Sequence, residues 1–166
     1  MGMGKETVHS PGEAGFGGAE SAVDADKAGH AGAPLPESEV VIEIPADRLY
    51  VVLARSAAVH LGSVLQLGIT DVTDLRLAVD EACALFLVNP AFPGAREVGL
   101  ACRFEAYPRE LRVTVRAPIP PDFAPDTEGI GWIMLGALVD DLVWRTQDGY
   151  GVLTLAKRLD PARNGG

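Results

Sequence analysis

Two adjacent acids, Asp80 and Glu81, interrupt the apolar run Asp74-Leu-Arg-Leu-Ala-Val-Asp-Glu-Ala-Cys-Ala-Leu-Phe86. A carboxylate amid aliphatic side chains is costly unless it is solvated, paired or lining a cleft. The stretch is therefore a candidate catalytic helix, with Glu81 as its candidate reactive group. Glu81 and Leu85 stand four residues apart and share a face of that helix. Asp80 either meets solvent or pairs with Arg76, one turn earlier.

The other residues with chemical potential are scattered. Cys83 and Cys102 both fall in expected core elements, with no CxxC and no Cys/His cluster, so the simplest account is two buried free thiols. No metal site is expected. His9 and His30 lie in a segment without partners, and His60 reads as a structural histidine near the core side of the first helix. Trp132 and Trp144 are expected to pack against a sheet or a dimer partner.

Positioning these residues requires an ordered frame, and the frame starts at residue 40. Residues 1–39 are rich in Gly, Ala and acids with one aromatic, Phe16, and read as a disordered tail. Val40–Pro45 is β-branched and reads as a strand. Ala46–Gln66 has helical spacing: Leu49, Leu53, Ala57, Leu61 and Leu65 form the expected core face. The opposite face sets Arg48, Val51, Arg55, Ala58, Val59 and Gly62 together. An arginine among small apolar residues is the composition of an interface core, or else a solvated face with scattered Val and Ala. Gly68 suits a C-terminal cap, Thr70 an N-cap, and Asp71 and Asp74 the positive end of the next helix, Asp71–Val88.

Asn89–Gly94 is a turn-rich break. The strands Glu97–Tyr107 and Glu110–Ala117 follow, joined at Pro108-Arg109 and alternating as a sheet with one buried face does. Four prolines between 118 and 125 exclude regular structure there. A helix from about Gly129 to Leu142 leads to a hairpin, Val143–Gln147 and Val152–Arg158, around Asp148-Gly149. Residues 160–166 read as frayed. The order β-α-α-β-β-α-β-β gives an α+β fold, a two-layer sandwich of a mostly antiparallel sheet with helices on one face.

The totals narrow the function. The 166 residues amount to one domain, and a net charge of −9 argues against a nucleic-acid surface. No apolar run reaches the roughly 18 residues of a membrane span. A cytoplasmic protein without direct nucleic-acid or membrane partners is expected.

Residues 40–159 resemble the bacterial anti-sigma factors of the GHKL (histidine-kinase-like) ATPase and serine-protein-kinase family. The look is that of actinobacterial members of the sigma-B/sigma-F antagonist type. "DLRLAVDEAC" carries the likeness, and "GWIMLGALVDD" supports it from a separate part of the chain. In active members the helix holds Glu-x-x-x-Asn, the Glu as general base toward a substrate hydroxyl and the Asn as a ligand of the magnesium on the phosphates. Glu81 matches the Glu, but Leu85 stands at the Asn position, and leucine offers a hard cation no oxygen. The family's Asp-x-Gly-x-Gly, whose Asp reads adenine, falls in register on Ala117, Ile119 and Pro121; Asp122 lies five residues beyond that Asp position. Its later Gly-x-Gly matches Gly129-Ile-Gly131, which is either a phosphate-holding helix start or a flexible one.

The resemblance thus implies a degenerate nucleotide pocket, with no metal and no cofactor. It implies a homodimer that grips an alternative sigma factor through its first helix and is released by a STAS-domain anti-anti-sigma protein. The family's central contact arginine matches Arg55, with Arg48, Val51, Ala58 and Val59 around it. The alternative is an active serine-protein kinase that phosphorylates its STAS antagonist with ATP and magnesium, Glu81 serving as base.

Overall fold

The computed structural model describes residues 34–87 and 99–159. The expected tail as far as residue 33, the 89–94 break, the first residues of the 97–107 strand and the 160–166 end lie outside the described residues. The elements are β1 (Ser38–Ile44), α1 (Val51–Val64), α2 (Ile69–Leu87), β2 (Leu100–Tyr107), β3 (Glu110–Pro118), α3 (Ile130–Leu138), β4 (Asp141–Gln147) and β5 (Tyr150–Arg158). The strands form one antiparallel sheet in the order β1-β2-β3-β5-β4. No described helix is long and apolar enough to cross a membrane.

One face of the sheet meets the helices, as the alternation requires. Leu111, Val113, Val115 and Ala117 of β3 join Cys102 and Phe104 of β2 and Leu153 and Leu155 of β5 in the core. From the helical layer α2 contributes Leu75, Ala78, Val79, Ala82, Cys83 and Phe86. These recur at three- and four-residue steps, so one stripe of the helix is wholly interior. The Cys83 and Cys102 sulfurs sit 3.9 Å apart, helix against sheet. Their hydrogen bond, and then burial, push the Cys83 thiol well above its ordinary value. Since the thiolate is the nucleophile, the native chain is expected to resist iodoacetamide at pH 8 and to take up two alkyl groups per chain when unfolded. Mass measurement after each treatment checks this.

The first helix departs from expectation in two ways. It starts at Val51, not Ala46, and its core face is the other one. Leu49 and Leu53 are 74% and 51% exposed, whereas Val51 and Ala58 are 3% and 0% exposed, with Ala54 and Gly62 buried beside them. The reason is steric. α1 lies close on α2, and a Cβ on Gly62 would already be 3.3 Å from Val72, so the small-residue stripe goes inside and the leucines outside. Ala57, Leu61 and Leu65 are partly buried at the edge of the core. His60 is exposed, contrary to its expected place near the core.

Caps and ends also move. Gln66, with φ +58, takes the left-handed position expected of Gly68, and Leu67 N–H bonds the Gly62 carbonyl to close the helix. The Gly68 carbonyl accepts from Val72 N–H, so Gly68 precedes α2 and Thr70 lies within its first turn. α3 ends at Leu138 rather than Leu142, because β4 begins at Asp141 and the Asp140 carboxylate takes the Arg158 N–H at 2.7 Å. Asp71 and Asp74 meet the Lys157 ammonium at 3.1 and 3.6 Å, tying the start of α2 to β5.

Candidate functional site

α2 lies between α1 and α3, and its two central acids are divided between those neighbours. Consecutive helical residues point about 100° apart, a consequence of 3.6 residues per turn. Asp80 turns toward α1, where its Oδ1 is 3.2 Å from Arg55 Nη1. It does not pair with Arg76. Glu81 turns toward α3, and its Oε1 stands against Gly131 in the space a Cβ there would need.

Each acid lines a cavity. Between α1 and α2 is one of about 350 Å³, bounded by Arg48, Val51, Arg55, Asp80, Glu81, Ala84 and Leu87. It is a polar cleft with two arginines facing two carboxylates. The Arg55–Asp80 pair is partly solvated, the side chains 34% and 45% exposed, so it orients Arg55 more than it stabilises the fold. Arg48 is exposed and Val59 half-buried on the same shoulder of α1. Val51 and Ala58, grouped with them from sequence, are core residues; Val51 shows only an edge to the cleft.

A second cavity, of about 530 Å³, opens between α2, the loop after β3 and the start of α3. Arg48, Glu81 and Ala84 border both cavities. Its remaining walls include Leu85, Phe123, Pro125, Trp132 and Asp126, with Gly129 and Gly131 at the helix start. Glu81 and Leu85 share this wall, as their spacing requires.

The proline-rich loop is irregular but well tied. Ile119 N–H bonds the Gly149 carbonyl at 3.0 Å, Phe123 N–H the Pro120 carbonyl at 3.0 Å, and Gly129 N–H the Asp126 carbonyl at 3.2 Å. The Asp126 carboxylate accepts the Glu128 N–H at 3.1 Å. Phe123 and Phe86 each lie 5.7 Å from Trp144, which pins the loop to the core. Trp132 and Trp144 thus take different roles, one lining the cavity and one packing behind its Phe123 wall.

Ala117 and Ile119 are buried, whereas Pro121 and Asp122 are exposed, and Asp122 is not among the residues that line this cavity. Among the described residues no three His, Cys, Asp or Glu side chains converge on a metal position. Sequence reasoning missed Phe123 and Asp126. The D-T-E-G order at 126–129 is a turn signal that marks the second, while nothing local marks the first.

No family model matches the sequence, and no curated protein matches it. Among solved structures the chain is similar to the crystal structure of the RsbU and RsbW domains of Rv1364c from Mycobacterium tuberculosis. The TM-score is 0.60 at 18% identity, over 75% of this chain and 33% of that one. The chain therefore spans about a third of the protein it matches, and what the two share is the fold.

Proposed function

We propose that the chain is an anti-sigma factor. It binds and sequesters an alternative sigma factor through the shoulder formed by Arg55 and Val59 of α1 with Arg48 in the turn before it, and a STAS-domain anti-anti-sigma protein releases it. The observation that carries this reading is the state of Arg55. It is held in place by Asp80 yet remains accessible, one helical turn from the exposed Val52 and the half-buried Val59. An oriented arginine next to uncovered aliphatic side chains is what the centre of a protein interface uses. The resemblance of "DLRLAVDEAC" and the fold shared with a chain that includes an RsbW domain support it. The homodimer that the resemblance implies belongs to the same proposal.

We read the nucleotide side as degenerate. The residues present do not fit a magnesium nucleotide: Leu85 puts a methyl group where a metal ligand is needed, and Glu81 and Asp126 stand at the helix start where phosphate would lie. A positioned base alone does not transfer a phosphoryl group, because metal and phosphate alignment supply most of the catalysis.

Co-purification from the native cytoplasm followed by mass identification of bound proteins tests the partner. A sigma factor and a STAS protein are expected, and their absence counts against the reading. Calorimetric titration with Mg-ATP is expected to give no binding isotherm. Label transfer from ATP to the co-purified STAS protein that disappears in Glu81→Ala would establish the kinase instead.

A further inference from the structure

The cavity beside α3 has a character of its own, and it is the reverse of a phosphate site. A helix start attracts anions because its first amides are unpaired and the macrodipole is positive there. At α3 two of the chain's own carboxylates stand beside that start, although no side chain caps it. Glu81 Oε1 fills the Cβ position of Gly131, and Asp126 Oδ2 lies 2.8 Å from the Cβ position of Gly129. Both glycines make room for an acid. A polyphosphate entering here would meet two carboxylates at close range.

The walls are apolar. Ala84, Leu85, Phe123, Pro125 and Trp132 supply most of the lining of this open cavity, and Arg48 at the junction offsets only one of the two negative charges. A space of about 530 Å³ is the size of an ordinary small-molecule site. Two aromatic side chains, Phe123 and Trp132, line the same space as the acids, and aromatic rings attract cations.

We propose that this cavity binds a small organic cation, an ammonium or guanidinium group on an apolar body of about aromatic size. The head group lies against Glu81 and Asp126, and the body fills the space along Leu85, Phe123 and Trp132. On this assignment Leu85 is a wall of a working site, and Glu81 is its counter-ion. The proposal needs no second protein and uses the α3 side of α2, although Arg48 and Glu81 border both cavities.

Titration of the full chain with 2-phenylethylammonium, followed through the Trp132 indole N–H resonance, tests it. The resonance is assigned by its loss in Trp132→Phe. A saturable shift below about 10 mM is expected. Neutral 2-phenylethanol should bind about fivefold or more weaker, and Glu81→Gln should weaken the amine by a similar factor, since each removes one side of the charge contact. Asp122→Asn, on an exposed loop residue outside the cavity, should leave the titration unchanged. The proposal is overturned by equal binding of amine and alcohol, by unaltered amine binding in Glu81→Gln, or by a tighter saturable response to Mg-ATP. Absence of any saturable shift from the amine overturns it as well.

Discussion

Arg55→Glu is expected to abolish a purified complex with the proposed sigma-factor partner while the chain stays folded. Truncating one member of a desolvated interfacial charge pair costs about 2–5 kcal/mol, so affinity should fall by roughly 30-fold to several thousand-fold. Reversal of the charge adds repulsion to that loss. The fold should tolerate the change, because Arg55 and Asp80 are both partly solvated and such pairs contribute about 1 kcal/mol or less. Analytical gel filtration with the partner, beside circular dichroism and thermal melting of the variant alone, separates the two effects. Asp80→Asn is the milder companion. It keeps a hydrogen-bonding side chain against Arg55 but loses the charge that orients it, so binding should weaken by no more than about fivefold. If Arg55→Glu binds normally, or if Asp80→Asn weakens the complex as much as Arg55→Glu does, the shoulder of α1 is not where the partner docks.

The same pair of residues shows what was legible in the sequence. Helical spacing places Asp80 and Glu81 on α2 and puts Glu81 and Leu85 on one face, and the structure agrees. What local spacing lacks is the neighbour on each side. Spacing alone offers Asp80 either solvent or Arg76, four residues away, because only intrahelical partners can be counted along a chain; Arg55 is 25 residues off and reaches it through helix packing. The inverted α1 has the same origin. Two stripes of α1 have helical period, one of leucines and one of Val51, Ala54, Ala58 and Gly62. Hydrophobicity favours the leucines, whereas close approach to α2 favours the small residues, and packing decided it. Strands suffered less, since alternation on β3 has one solution once a face is covered. Asp148-Gly149 forms the expected two-residue turn, both residues at positive φ.

The thiol pair was similarly half visible. Burial of Cys83 and Cys102 follows from their apolar neighbours, but their approach to 3.9 Å depends on α2 crossing β2, which no spacing rule encodes. The loop between β3 and α3 is the extreme case. Its prolines exclude regular structure, yet its irregular path is what brings Phe123 onto Trp144 and Asp126 to Gly129. Sites built from loops are therefore least readable where they matter most for binding.

Gly151→Ala is expected to be the most damaging single methyl group added to the core near these cavities. Gly151 lies on β5 where a Cβ would run into Trp144 Cη2 and would also stand 2.8 Å from Phe86 Cε1 and 3.0 Å from Ile119 Cγ2. Those three side chains are not free to yield. Phe86 belongs to the interior stripe of α2, Ile119 is buried and tied through its N–H to Gly149, and Trp144 packs at a tilt against both Phe86 and Phe123. Overpacking of such a site costs about 1–3 kcal/mol, and the convergence of three ring or branched groups puts Gly151→Ala at the upper end. At about 4 °C per kcal/mol for a domain of this size, the melting temperature should fall by roughly 8–12 °C. Gly136→Ala is the matched control. It is exposed in α3 with nothing within 4 Å of its Cβ position, so the same methyl group should stabilise the helix by about 0.5–1 kcal/mol. Opposite shifts from one chemical change would locate the strain at the Trp144 contact. Relief of the Gly151→Ala defect by Trp144→Phe, which removes the colliding atom, would identify the colliding ring. A Gly151→Ala chain as stable as the parent would mean that β5 and the loop over it are far looser than this packing implies.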